Sequence, residues 1–571
     1  MNLTEFLAIA RGDEPADRIL RNGRVVNVFT GEILAADVAL SGHTIVGVGS
    51  NYKAKEEIDL GGRYVCPGLI DGHVHIESSM VTPPQFARAV VPRGTTSVVA
   101  DPHEIANVAG AAGVRYMIAA SEGLPLTVYV NLPSCVPATH MGTAGAELSA
   151  EDLMALKDLP RVIGLAEFMN VPGLVLGMPD AVAKIEAFQG EVIDGHAPSV
   201  TGKWLQAYVG AGPGSDHEST SANEMVEKLR LGMIALIRES TAAKDLRALV
   251  PGVTEKNSRR CGFGTDDRHP ADLLDEGHLD HLIRLAVAEG IDPVTAIQMA
   301  TLNVAEWFRM RDRGAIAPGR RADLVVFSDL QDFRAEMVFA AGRLVARDGE
   351  PTGEWVSPDA DSSSVRGSVD VDLAQLDLDI PAAGHKIRVI GALPDRVVTD
   401  QLIEAPKIVD GMAVADPGRD LLKIAVIERH RGTGDFGLGF VRGLGLDRGA
   451  LASTVGHDAH NLIVAGCDDA SMLTAIRATV ELEGGLVVAA GEDVLASVPL
   501  PVGGLMSDQP VEFVRNQMDL LIDAARELGS RLHDPFMTLS FLALEVIPRL
   551  KLTDQGLVDV EAFDFVPLFV D

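Results

Sequence analysis

The chain has 571 residues, 47% of them hydrophobic and 23% charged, which predicts a globular protein with more than one domain. The formal net charge of -32 argues against nucleic acid and anionic membranes as partners, because like charges repel. The four cysteines form no Cys-x-x-Cys pair, and neither a signal peptide nor a long apolar segment is present, so we expect a cytoplasmic protein that is not membrane-bound.

The two flanks of the first 360 residues share a β-rich pattern. A short helix is predicted at about residues 3–10, followed by short strands that are broken by glycine-containing turns. Similar strands return after residue 318. Residues 1–66 and 318–360 are therefore predicted to form one small β-sandwich into which another domain is inserted.

The inserted segment, residues 67–317, repeats one pattern eight times: an apolar run that ends in a polar residue and is followed by a helix-like stretch. Such an alternation predicts a (β/α)8 TIM barrel, whose chemistry lies at the carboxyl ends of the strands. The polar residues at the eight predicted ends are His73 with His75, Asp101, Asn131, Glu167, His196, His217, Glu239 and Asp266.

The rest of the chain has a different character. Residues 350–372 are rich in proline, serine and aspartate, as in a linker. Beyond them, residues 371–571 alternate apolar runs with helix-like segments, which predicts a C-terminal α/β domain. The overall fold class is therefore α/β, with a barrel inserted in a sandwich and a further domain after it.

Six of the polar residues, which stand at five of the eight predicted strand ends, carry imidazole or carboxylate groups in an arrangement that suits metal binding. His73 and His75 alternate along one strand, so both side chains face the same side. With the other four they suffice for two divalent metals that share a bridging carboxylate. Each residue alone is equally compatible with a structural role, and the predicted site rests on the whole set: His73, His75, Glu167, His196, His217 and Asp266.

The sequence around these residues resembles the amidohydrolase superfamily and, within it, the bacterial adenine deaminase family. In the barrel the matching stretches are residues 67–79, 100–108, 166–170, 194–198, 215–218, 265–270, 299–305 and 314–324. In the C-terminal domain they are residues 428–434, 456–461 and 534–540, in a domain that other amidohydrolases generally lack.

The resemblance implies a function and a ligand assignment. His73, His75 and Asp266 would bind one metal, His196 and His217 the other, and Glu167 would bridge them. The implied reaction is hydrolytic deamination of adenine to hypoxanthine and ammonia by a hydroxide that two metals activate. The resemblance favours Mn²⁺ or Fe²⁺, although these ligand types also suit Zn²⁺.

Several further roles are expected for residues near the metals. Asp266 is the candidate for moving a proton to the departing amine, and Glu218, Glu104 or Glu77 for protonating the purine ring. Substrate contacts are expected from Glu77, Ser78, Arg238 and Glu239. One departure from the family pattern is Ser240, where a glycine is expected.

Alternatives remain at this point. Another amidohydrolase activity, such as deacetylation of an N-acetyl amino sugar, also suits a glutamate on the fourth strand, and a non-catalytic scaffold would keep the barrel. The cluster His457, Asp458, His460 and Asn461 either closes over the barrel mouth or serves as turn and capping chemistry. An enzyme of this size is expected to be a dimer or larger.

Overall fold

The computed structural model describes residues 1–355, 360–394 and 396–570. Within them the α-helices are Leu3–Ala10, Pro83–Val90, His103–Ala120, Ala150–Leu156, Val171–Val175, Pro179–Ala187, Gly202–Ala211, Ala222–Arg230, Leu246–Leu249, Pro270–Asp275, Leu279–Ala288, Pro293–Met299, Leu302–Trp307, Asp469–Glu481, Val511–Glu527 and Pro535–Ser540. Across the described part of the chain, no helix is both long enough and apolar enough to cross a membrane.

The strands of the two flanking segments form one sheet of nine strands. The halves meet where Tyr64–Pro67 pairs antiparallel with Leu324–Phe327. Their residues also share a hydrophobic core that includes Val25, Val65 and Val326. The nine strands are Ala16–Asn27, Glu32–Ser41, Thr44–Gly49, Ala54–Asp59, Tyr64–Pro67, Leu324–Phe327, Met337–Ala340, Arg343–Arg347 and Glu350–Pro351.

The predicted barrel is confirmed: eight strands alternate with helices in a five-stranded and a three-stranded parallel sheet. Two backbone hydrogen bonds join the sheets, from Gly214 N to Ile193 O (3.0 Å) and from Asp266 N to His73 O (3.0 Å). The eight barrel strands, first to eighth, are Leu69–Val74, Thr95–Ala100, Thr127–Leu132, Val162–Phe168, Val192–Gly195, Ser215–Asp216, Ile234–Arg238 and Cys261–Gly264.

The predicted linker lies partly outside the described residues, since 356–359 fall there. Its described part is packed rather than free. Val365 is buried in the main hydrophobic core, and its carbonyl accepts a hydrogen bond from Gly503 N at 2.6 Å. The segment therefore fastens the C-terminal domain to the barrel.

The C-terminal domain is built on an eight-stranded, mostly antiparallel sheet. One long helix, Asp469–Glu481, packs on one face, and Val511–Glu527 packs on the other. The strands in chain order are Ile387–Ala392, Thr399–Glu404, Leu422–Ile427, Phe436–Arg442, Ala450–Ser453, Leu462–Gly466, Gly485–Ala490 and Asp493–Pro499. A hairpin, Lys407–Val409 with Met412–Val414, and a small sheet of Leu550–Thr553, Gly556–Asp559 and Asp564–Phe565 complete the domain.

One hydrophobic core runs through the barrel and the C-terminal domain. Ile105 of a barrel helix, Leu422 of the C-terminal sheet and Leu542 belong to the same buried cluster. Because burial of apolar surface stabilises by about 25 cal/mol per Å², this shared core holds the two domains together. The C-terminal domain thus covers the end of the barrel where the strands finish.

Candidate metal centre and substrate cavity

His73 and His75 lie at the end of the first barrel strand, and both are buried. Their Nε2 atoms are 3.1 Å apart and face the same carboxylates. Oδ1 of Asp266 lies 3.1 Å from Nε2 of His75 and 3.7 Å from Nε2 of His73. The last barrel strand thus brings Asp266 to the two histidines.

Glu167, at the end of the fourth strand, lies between two groups of histidines. Its Oε1 is 3.2 Å from Nε2 of His75, and its Oε2 is 2.6 Å from Nδ1 of His196 and 3.2 Å from Nε2 of His217. The rings of His217 and His73 stack with centroids 3.9 Å apart. All six predicted ligands therefore meet in one buried cluster.

The donor set fits divalent cations. His73, His75 and Asp266 place one ligand atom each within 4.8 Å of one another, as do His73, Glu167 and His217. Nitrogen and carboxylate oxygen ligands bind such cations at about 2.0–2.2 Å. The cluster can thus hold metal, and its chemistry alone does not select the element.

Asp101 and His103 stand beside this cluster, although the sequence pattern predicts no role for either residue. Nδ1 of His103 is 3.0 Å from Oδ2 of Asp101 and 3.6 Å from Oε1 of Glu167. The carbonyl of Asp101 lies 3.0 Å from Nδ1 of His75, so it orients that ring. Their signal in the sequence is Asp-Pro-His-Glu at the end of the second barrel strand.

Glu104 is held by the C-terminal domain. Oε1 of Glu104 is 2.7 Å from Nδ1 of His457, and Oε2 is hydrogen-bonded to Nε2 of His460. Burial alone would raise the pKa of Glu104, but His457, His460 and His103 hold it well below its ordinary value. The histidine cluster of the C-terminal domain therefore closes over the barrel mouth, the first of its two predicted alternatives.

The guanidinium of Arg238 contacts three carboxylates at the cavity wall. This group is hydrogen-bonded to both oxygens of Glu218, and it lies 2.9 Å from Oδ2 of Asp266 and 2.9 Å from Oδ2 of Asp245. Burial would lower the pKa of Arg238, yet these carboxylates raise it well above its ordinary value. Arg238 consequently stays charged and fixes the direction in which Glu218 and Asp266 point.

A small cavity, lined by residues of both domains, opens onto these groups. Glu167, His217, Glu218 and Arg238 line it from the barrel side. The C-terminal domain contributes both polar and apolar residues, namely Val397, His457, Asp458, Phe541, Leu544 and Ile547.

Three of the predicted substrate contacts lie away from this cavity. Glu77 and Ser78 line a small neighbouring cavity that shares Glu104 and His457 with the first, and there Ser78 donates to Asp267 at 2.5 Å. Burial raises the pKa of Glu77 to about 7. The carboxylate of Glu239 accepts a hydrogen bond from Leu246 N at 3.2 Å, which turns it away. Among the four residues, Arg238 lines the cavity, and the substrate contacts stay predictions.

The fold and this cluster place the chain in a known class. Residues 64–224 and 215–345 match the model of the amidohydrolase family, and residues 396–564 match the adenine deaminase C-terminal domain. Among solved structures, an amidohydrolase aligns with 58% of this chain and 99% of its own, at 20% identity and a TM-score of 0.43. The two family models, which together match residues 64–345 and 396–564, show that the chain is an amidohydrolase.

Full-length relatives narrow the family. An adenine deaminase of Desulfatibacillum aliphaticivorans is 52% identical over 99% of both chains. Adenine deaminase 2 of Carboxydothermus hydrogenoformans is 48% identical, again over 99% of both. The chain belongs to the adenine deaminase family, which confirms the resemblance seen in the sequence.

Proposed function

We propose that this protein hydrolyses adenine to hypoxanthine and ammonia. The observation that carries the proposal is identity of about half of all residues with adenine deaminases, over 99% of the chain and including the C-terminal domain. The buried cluster of histidines and carboxylates supports it, because such ligands can hold divalent metals and the cluster lines a cavity between the two domains.

The proposed cofactors are two divalent cations, Mn²⁺ or Fe²⁺, with Zn²⁺ possible on ligand chemistry. His73, His75 and Asp266 would hold one, His196 and His217 the other, and Glu167 lies where both can share it. When bound, such cations supply Lewis-acid activation of water at neutral pH.

Asp266 is the proposed carrier of the proton that leaves with the amine. Its Oδ2 is fixed by Arg238 at 2.9 Å, which leaves Oδ1 directed at the histidines. A carboxylate held in one orientation can take a proton from water and release it to the 6-amino nitrogen as the C–N bond breaks.

Glu218 is the proposed acid that protonates the purine ring, because it lies beside two of the predicted metal ligands, His196 and His217. Glu218 lines the cavity 3.6 Å from His217, beside the metal ligands. Glu104 also lines the cavity, where its oxygens pair with His457 and His460, just as those of Glu218 pair with Arg238.

The test is an absorbance assay of the purified protein with adenine and with adenosine, in the presence of Mn²⁺ or Fe²⁺, together with measurement of ammonia. Release of one ammonia per hypoxanthine supports the proposal. Acetate release from an N-acetyl amino sugar without ammonia from adenine would overturn it. For the acid, Glu218→Gln should lower kcat at least 100-fold, whereas the exposed Glu255→Gln should leave kcat unchanged.

The expected homo-oligomer and the cytoplasmic location stay predictions. Size-exclusion chromatography with light scattering measures the first of them directly.

A further inference from the structure

Two side chains of the C-terminal domain present unpaired polar atoms at the cavity. His457 and Asp458 are each 2% exposed and line the cavity. Nε2 of His457 and Oδ2 of Asp458 have no hydrogen-bond partner among the described residues. Because buried polar groups are nearly always hydrogen-bonded, these two atoms are available to pair with a ligand in the cavity.

Asp458 lies one imidazole ring away from the centre of the metal cluster. His103 spans the gap, with Nδ1 3.6 Å from Oε1 of Glu167 and Nε2 3.7 Å from Oδ1 of Asp458. A bicyclic base whose six-membered ring meets Glu167 and His217 would therefore extend its five-membered ring towards Asp458.

The wall next to these two residues is apolar and suits a flat ring. Phe541 stacks on His457 with centroids 4.5 Å apart and planes inclined by 13°. Leu544 and Ile547 continue the same wall. Aromatic and aliphatic surfaces bind uncharged planar bases well, but they are poor neighbours for the polar sugar of a nucleoside.

We propose that Asp458 accepts the N–H of the five-membered ring of adenine, while Nε2 of His457 pairs with a neighbouring ring nitrogen. The C-terminal domain would thereby select the free base over purines substituted at N9. A substituent there removes the N–H and leaves the buried carboxylate without its partner, and sites built this way reject such analogues strongly. This inference rests on the proposed adenine deamination.

The first test needs only the wild-type protein with adenine and 9-methyladenine as substrates. We expect kcat/KM for 9-methyladenine to be at least 100-fold below that for adenine. Comparable values for the two would overturn the proposal. If neither substrate released ammonia, the proposed function itself would have failed, which is a separate result.

The second test uses Asp458→Ala and the isosteric Asp458→Asn with the same two substrates. Asp458→Ala should lower kcat/KM for adenine about 10- to 100-fold and leave kcat/KM for 9-methyladenine nearly unchanged. The ratio of the two kcat/KM values should therefore fall at least tenfold. Asp458→Asn, which keeps the shape, should give a smaller change in the same direction. The exposed Asp564→Asn is the control and should match the wild type.

A merely structural role of Asp458 predicts another pattern. If both variants lost activity equally on the two substrates, the specificity would not come from Asp458 and the proposal would be overturned. Thermal melting of Asp458→Asn shows whether the fold is kept, and an unchanged preference in a folded Asp458→Ala would likewise refute the inference.

Discussion

Asp534 joins the two domains next to the cavity wall. Two different substitutions of this residue distinguish the stability that comes from a helix cap from the stability that comes from an ion pair. Oδ1 of Asp534 accepts hydrogen bonds from Phe536 N (2.9 Å) and Met537 N (2.8 Å), which caps the helix Pro535–Ser540. Oδ2 lies 2.6 Å from Nδ1 of His269 in the barrel. Asp534→Asn keeps the cap and removes the charge, whereas Asp534→Ala removes both.

The magnitudes follow from these contacts. Loss of an N-cap costs about 0.5–2 kcal/mol. A hydrogen bond between charged groups contributes about 1.5–3 kcal/mol, and the pair is buried, so solvent screens it little. We expect Asp534→Asn to lose about 1.5–3 kcal/mol and Asp534→Ala about 2–5 kcal/mol.

The stabilisation also depends on pH. Burial would lower the pKa of His269, but Asp534 raises it above the ordinary value of 6.5. A group whose folded pKa is raised contributes fully below its unfolded pKa, and this contribution is lost as the pH rises through the folded value. The difference in stability between the wild type and Asp534→Asn should therefore be larger at pH 6 than at pH 9.

Hydrogen–deuterium exchange of the peptide 535–543 measures this local stability, after correction for intrinsic exchange rates at each pH. Equal losses of protection in the two variants at pH 6 would show that the cap contributes nothing. If the difference in protection between the wild type and Asp534→Asn did not change with pH, the proposed stabilisation of protonated His269 by Asp534 would be refuted.

Three further outcomes are expected. Asp266→Asn should abolish turnover while metal content is retained, and near-normal turnover by a direct kinetic assay would disprove its proton-transfer role. Arg238→Met leaves the buried Glu218 and Asp266 and the half-buried Asp245 without their counter-charge, so it should lower the free energy of unfolding in urea by about 3–5 kcal/mol, whereas the exposed Arg259→Met should lower it by less than about 1 kcal/mol. Removal of metal by a chelator should lower Tm, because a ligand at 100 times its Kd stabilises by about 2.7 kcal/mol; an unchanged Tm and undiminished turnover would contradict the metal assignment.

The barrel could be predicted because each of its strands carries a local signal. Short apolar runs end in His73, Glu167 or Asp266, and parallel strands of one barrel bring those ends to the same face. The prediction therefore reached all six members of the cluster, even though they lie on five different strands.

The C-terminal half of the cavity could not be predicted in the same way. Glu104 and His460 are 356 residues apart, and only the docking of two domains brings them together. Hydrophobic periodicity describes single elements and contains no information about such docking. The C-terminal strands posed a related problem, because runs buried on both faces look alike in parallel and antiparallel sheets.

The bond between Glu104 and the histidines of the C-terminal domain has a consequence for synthesis. The barrel ends near residue 317, but the chain must reach residue 547 before the cavity wall is complete. At about 5–20 residues per second, a ribosome needs roughly 10–50 s for that interval. Until that point the barrel side of the cavity lacks the wall that Phe541, Leu544 and Ile547 provide.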